Sequence, residues 1–370
     1  IGKVAALSLV RFQKAQKDGR PAPLALVSMD NCSHNGTKLH DAVLRLAREW
    51  EKNGFVPASF VSWLDDGASV SFPWSMIDKI TPRPDEKVKA ALEASGFEDT
   101  EILVTKKNTW IAPFVNAEET GYLVIEDHFP NGRLPLEKAG VIFADRDTVD
   151  RVEKMKVCTC LNPLHTALAV YGCILGYTLI CEEMKNPQLV GLIKRLGYTE
   201  GMPVVVDPGI IRPEDFLKQV LEVRLPNPFM PDTPQRIACD TSQKLSVRFG
   251  ETIKAIMARS DLSLDSLIAI PLVFAGWCRY LMGIDDSGNA FEPSPDPLLE
   301  KVRPVLAGIR LGSSLNRAEA MEKLRPLLSD ASIFGVNLYQ IGLAEKVCDY
   351  FIELIAGPGA AAKTLGKYFS

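Results

Sequence analysis

The chain has 370 residues, 46% hydrophobic and 24% charged, an ordinary globular composition with room for two domains that each bury a core. A formal charge of −4 offers no basic surface, which sets a nucleic-acid partner aside. Eight cysteines at scattered, mostly apolar positions form no disulfide framework and read as reduced thiols of a cytoplasmic protein.

The chain begins Ile1-Gly2-Lys3, without an initiator methionine and without the pattern of a secretory signal, so sequence is expected upstream. Val4 to Lys17 has helical spacing, and Asp18 to Pro23 stops it. Leu24 to Met29 is a short apolar run that reads as a buried strand. A polar loop, Asp30 to Gly36, leads into an amphipathic helix, Thr37 to Lys52, with Thr37 as the expected cap. Strand, polar loop and helix make an α/β crossover, and ligands bind such sheets beyond the carboxyl ends of the strands. The same loop also reads as a solvated Asx turn that uses Asn35-Gly36 for a left-handed bend.

A helix is expected from about Asp85 to Ala94, with strands at Glu101–Thr105, Gly121–Ile125 and Gly140–Ala144. Glu126, Asp127 and His128 read as solvated charges at a strand end. From about Arg146 the period turns helical, over 147–183, 187–197, 213–223, 233–259, 262–283, 296–307, 317–328 and 335–356. Two domains are therefore expected, 1–147 α/β and 148–370 mainly α-helical. The glycines at 357 and 359 follow a helix and not a strand, so they fail as a dinucleotide loop and read as a helix end and turn.

The chemistry concentrates in Arg151 to His165. Lys156, Asn162 and His165 lead into an uncharged run, Thr166 to Cys181, that reads as a helix buried on every side. The uncharged stretch from Val157 to Cys181 exceeds the ~20 residues that span a bilayer. With Asn162, Pro163 and His165 inside it, a buried helix is the better reading. A ketone under reduction gathers negative charge on oxygen, so a site for that reaction needs fixed donors and one group that releases a proton. A partly buried lysine can be the acid, and asparagine amides can be the donors. Taken singly, a surface lysine, a helix cap and a core histidine are the commoner readings of these residues. Cys158, Cys160 and His165 offer a zinc corner, but no second Cys/His pair stands at ligand spacing.

Six separated motifs then resemble the polyol-specific long-chain dehydrogenases, in the family's order and along essentially the whole chain. They are Asp30-Asn31 with Asn35-Gly36, Ile77 to Pro82, Val124 to Phe129, Glu153 with Met155-Lys156, Leu161-Asn162 with His165, and Arg236 with Lys244. The resemblance implies an NAD(H)- or NADP(H)-dependent, metal-free oxidoreductase with a Rossmann-like N-terminal domain and a helical C-terminal domain, the substrate lying between them. It implies Lys156 as general acid/base, Asn35 and Asn162 polarising the carbonyl, and Asp78 and Glu153 tuning the lysine. His165, Arg236 and Lys244 would bind substrate oxygens, and Asp30 and Asn31 would lie at the coenzyme. The implied substrate is a sugar acid or polyol, with D-mannonate/D-fructuronate preferred over mannitol/fructose and tagaturonate because Arg236 and Lys244 can neutralise a carboxylate. A monomer or small homo-oligomer is expected, with no nucleic-acid or membrane partner.

Two departures stand out. The family's glycine-rich phosphate loop has no counterpart here, so the chain is expected to start inside the Rossmann domain, and a non-catalytic sugar-binding relative is the competing reading. Five residues, Val157 to Leu161, separate Lys156 from Asn162, one more than is usual in the family. On a regular helix Lys156 and His165 would point roughly 180° apart. One π-type widening would bring them to roughly 80°. Pro163 cannot donate to the carbonyl of Thr159, which also favours a break. The spacing therefore predicts a bulge between Lys156 and His165.

Overall fold

The computed structural model describes residues 1–79, 81, 83–119 and 121–369. Ile80 and Pro82, which close one of the six motifs, lie outside the described residues. The chain divides into two compact units, 1–80 with 119–153, and 81–118 with 154–370.

The first unit is α/β. Helix α1 (Gly2–Asp18) ends at Gly19, whose φ of 61° suits a residue without a Cβ. Strand β1 (Leu24–Ala25) precedes α2 (Asn35–Lys52) and α3 (Ala58–Asp65), and pairs in parallel with β2 (Val70–Ser71). Phe12, Val43, Leu44, Phe60 and Leu64 bury the facing stripes of the three helices in one core, with Phe12 and Phe60 ring centroids 5.5 Å apart. Strand β3 (Ser75–Asp78) begins a second sheet. The strands read at Leu24–Met29 and Glu101–Thr105 are each only two residues long, Leu24–Ala25 and Leu103–Val104.

Residues 81–118 belong to the second unit and carry α4 (Glu86–Ala94) and the hairpin β4 (Leu103–Val104) and β5 (Trp110–Ile111). The chain then returns to the first unit as β6 (Tyr122–Glu126) and β7 (Ile142–Ala144), giving the sheet order β3-β6-β7, antiparallel then parallel. Glu126 is buried and ion-paired to Arg146, unlike the solvated charge expected of a strand end, whereas Asp127, paired to Arg133, and His128 are exposed as expected. Helix α5 (Arg146–Met155) follows.

The second unit is helical: α6 (Asn162–Leu175), α7 (Ile180–Glu183), α8 (Pro187–Lys194), α9 (Pro213–Gln219), α10 (Pro234–Ile237), α11 (Glu251–Met257), α12 (Ala269–Tyr280), α13 (Leu299–Val302), α14 (Arg317–Leu328), α15 (Ala331–Phe334), α16 (Ala344–Leu354) and α17 (Ala360–Tyr368). Every residue of α12 is buried, and Phe274 and Trp277 pack edge-on to Phe334. The long helices read at 147–183 and 233–259 are broken. Gly176 takes φ 79° before α7, and Asp240 takes φ 53° after α10. The helical stretch Arg146–Leu175 is long enough and, over its most apolar part, apolar enough to cross a membrane, but 78% of that part is buried within the protein. The glycines at 357 and 359 form the turn between α16 and α17. The free N–H groups at the start of α17 are taken by Asp286, which accepts from Ala361 and Ala362 at 2.8 and 3.0 Å.

A clasp ties the excursion 81–118 to the helices. Arg224, 3% exposed, donates to Glu118 at 2.9 and 2.8 Å, and Glu118 is 4% exposed. A bidentate pair of this kind compensates two charges that burial would otherwise make costly.

Candidate active site

Lys156 opens a π turn, Lys156–Cys160, and is 4% exposed. The amide of Leu161 donates to the carbonyl of Lys156 at 3.1 Å, one residue wider than an α-helical bond. Leu161 then leaves the helical region, with φ −128° and ψ −62°, and α6 starts afresh at Asn162. Pro163 stands in the first turn, where a missing N–H costs nothing. The break expected between Lys156 and His165 is thus present, and it has the expected form of one widened turn.

Neighbours from the same unit hold the turn open. Thr252 Oγ1 donates to the carbonyl of Cys158 at 3.1 Å. Gly201 lets the backbone close in, since a Cβ there would stand 2.8 Å from Thr159 Cγ2. Arg248 donates to the carbonyl of Asn162 at 3.5 Å and to Thr166 Oγ1, while burial lowers its pKa to about 10. Asn162 Oδ1 is buried without a hydrogen-bond partner.

One turn on, His165 Nε2 lies 3.1 Å from Asp232 Oδ2. The other oxygen of Asp232 accepts from Thr233 N at 3.0 Å and Arg236 Nε at 2.8 Å. Burial alone would raise the Asp232 carboxyl, but His165 and Arg236 outweigh it and hold the group below the usual carboxylate range. Lys244 donates to the carbonyls of Ile237 at 3.1 Å and Cys239. Its amine is lowered by burial first and by Arg248 next. His165 and Arg236 are therefore joined through one carboxylate, and Lys244 sits on the carbonyls around the end of α10. Asp232, Arg248 and the buried Glu183 escape a reading of the sequence. The only signal for Asp232 is its place four residues before Arg236.

In the first unit, Asp30, Asn31 and Cys32 are exposed in the loop after β1. His34 adopts a left-handed φ of 54°, stacks on Trp74 with centroids 4.2 Å apart, and meets Asp150 at 3.0 Å. Asn35 is 2% exposed. Its Nδ2 lies 2.9 to 3.3 Å from the carbonyls of Ser28, Asp30 and Ser75 and from Ser75 Oγ, and its Oδ1 accepts from Ser75 N at 3.0 Å. Thr37, expected as the cap of α2, lies inside the helix, which starts two residues earlier, and its hydroxyl accepts from Trp74 Nε1 at 2.9 Å. Asp78 is buried at the end of β3, and Glu153 is half-buried on α5.

All eight cysteines are free thiols, and Cys160 donates to the carbonyl of Pro213 at 3.7 Å. Among the described residues no three His, Cys, Asp or Glu side chains form a metal-holding group.

The model of the mannitol dehydrogenase Rossmann domain matches residues 3–138, and that of the mannitol dehydrogenase C-terminal domain matches residues 148–351. The chain belongs to the mannitol dehydrogenase family. It has that family's fold, a Rossmann-type N-terminal region followed by a mainly helical C-terminal region. Among curated relatives, the D-mannonate oxidoreductase of Thermotoga maritima is 55% identical over 367 residues, which is 99% of this chain and 66% of that protein. A mannitol 2-dehydrogenase of Pyrenophora tritici-repentis is 30% identical over 288 residues, 77% of this chain and 46% of that protein. The Pseudomonas fluorescens mannitol 2-dehydrogenase, solved as a ternary complex with NAD and D-mannitol, superposes with a TM-score of 0.68 at 26% identity, covering 96% of this chain and 64% of that one. The chain thus spans less than two thirds of the length of these mannitol dehydrogenase relatives.

Proposed function

We propose that the protein is an NAD(H)-dependent oxidoreductase that interconverts the secondary alcohol of a sugar acid or polyol and its ketone, with D-mannonate and D-fructuronate as the preferred pair. The observation that carries this reading is the π turn, which re-aims a buried lysine relative to Asn162 and His165 in a chain 55% identical to a D-mannonate oxidoreductase. The division of labour we assign is coenzyme binding to 1–147 and substrate binding to 148–370.

The polar, exposed loop Asp30–His34 beyond β1 suits a nicotinamide coenzyme, with Asp30 and Asn31 as its contacts. When bound, the coenzyme supplies the acceptor or donor of hydride. Lys156 takes the hydroxyl proton in the oxidising direction and returns it to the oxygen in the reducing one. The Asn162 amide donates to that oxygen as charge develops on it. Asn35 serves as second donor by releasing one of its protein acceptors, so its substitution touches stability as well as turnover. Asp78 and Glu153 set the charge around the lysine and its proton path. His165 binds a substrate hydroxyl, and Arg236 and Lys244 bind the carboxylate of a sugar acid, which favours fructuronate over fructose. Free thiols throughout fit a cytoplasmic setting.

A coenzyme-coupled assay on D-fructuronate, D-tagaturonate and D-fructose, run with both NADH and NADPH, tests the reading. The highest kcat/KM is expected for fructuronate with NADH. Lys156→Ala is expected to lower kcat by about 10²- to 10⁴-fold. Unchanged turnover in that variant sinks the proton-transfer role, and no turnover by the wild type on any of the three sinks the function.

A further inference from the structure

Asp232 is a buried carboxylate, its side chain 6% exposed, between two groups carried on different elements, the imidazole of His165 on α6 and the guanidinium of Arg236 on α10. Its backbone is pinned: Asp232 N donates to the carbonyl of Met230 at 2.7 Å, and its carbonyl accepts from Ile180 N at 2.9 Å, at the start of α7. Oδ1 is fully used by Thr233 N and by Nε and Nη2 of Arg236. Among the described residues, His165 Nε2 stands beside Oδ2, at 3.1 Å.

Behind this carboxylate lies a second. Glu183, the last residue of α7, is 0% exposed, and among the described residues neither of its oxygens has a hydrogen-bond partner. It packs so closely on Gly172 of α6 that a Cβ there would collide with its carboxyl group. Burial first, and the charge of Asp232 second, push its pKa up to about 9. The pair thus divides into one neutral acid and one anion. The single negative charge belongs to Asp232.

Stability does not account for this arrangement. The Arg236 side chain is 60% exposed, where an ion pair contributes little. We propose that Asp232 is a positioning residue, its carboxylate setting the orientation of His165 and Arg236 before substrate arrives. The inference rests on the function proposed above. With Nε2 turned to Asp232, a neutral imidazole keeps its proton there, and Nδ1 becomes the acceptor for a substrate hydroxyl. With Nε and Nη2 on Asp232, Arg236 keeps Nη1 for the substrate. One carboxylate thereby fixes an acceptor and a donor relative to each other.

The test measures Asp232→Asn in the protein expressed from its complete coding sequence, by steady-state kinetics on D-fructuronate and by the imidazole ¹⁵N shifts of His165. Expected are an Nε2–H tautomer in the wild type that Asp232→Asn disturbs, and a KM for fructuronate raised about tenfold with kcat lowered less than threefold and coenzyme KM unmoved. In an Arg236→Ala background the same substitution should cost much less, because the two act as a unit. Where Asp232→Asn unfolds, Asp232→Glu keeps the charge, displaces it by one methylene, and should give the same split. An unmoved tautomer, an unchanged KM in a folded variant, or full additivity with Arg236→Ala overturns the inference while leaving wild-type turnover intact. Absence of wild-type turnover removes the proposed function, and a positioning role in that reaction with it.

Discussion

Helices α6 and α12 both run buried through the second unit, and both begin next to a π turn, Lys156–Cys160 at α6 and Arg195–Gly201 at α12, yet their first turns are built in opposite ways. At α12, Glu200 accepts from Ile268 N at 2.7 Å, Ala269 N at 2.8 Å and Ile270 N at 2.9 Å, and Arg195 completes the carboxylate at 3.1 Å. At α6, no side chain caps the helix, and Asn162 Oδ1 is buried without a partner. Folding satisfies nearly every buried polar group, so an exception calls for a reason other than folding. The same local device serves architecture at one helix and, on our reading, chemistry at the other.

That contrast can be broken at its strongest point first. Glu200→Ala strips three backbone amides and Arg195 of their shared acceptor and is expected to destabilise by about 3–5 kcal/mol in denaturant unfolding. Activity per folded molecule should hold. Asn162→Ala is the mirror case, with kcat lowered about 10²- to 10³-fold and stability nearly unchanged, because Oδ1 gives up no bond. A large loss of stability in Asn162→Ala would erase the distinction.

Glu183→Gln sharpens the contrast with a smaller effect. A carboxyl lifted from 4.5 to about 9 in the fold binds its proton more tightly folded than unfolded. Wild-type stability should therefore fall as pH rises from 4.5 towards 9, by at most about 1.4 kcal/mol per pH unit, and flatten above. The glutamine variant should lose that slope, which thermal unfolding across the range would reveal. A slope that persists would show that Glu183 is not the group responsible.

The break at Lys156 was legible because it needs only counting: nine steps of a regular helix, a proline that cannot donate, and one residue too many. The breaks after Leu175 and Ile237 were not, since apolar spacing continues across Gly176 and Asp240 while the backbone turns left-handed there. Asn35 was legible as a motif residue, but its engagement was not, because Ser28, Asp30 and Ser75 meet it from separate segments. Asp232 and Glu183 were missed for a related reason. Their surroundings are assembled by helices distant in sequence, and an isolated acidic residue reads as solvated.

The clasp between Glu118 and Arg224 bears on how the chain tolerates length changes. Glu118 is the last residue of the excursion 81–118, and Arg224 fixes it to the helices of the same unit. Extra residues between Val104 and Trp110 would lengthen an exposed hairpin and stop there, because the clasp downstream fixes the end of the excursion 81–118 within its own unit. The hairpin tip is thus where insertions can accumulate in this chain without disturbing the buried clasp.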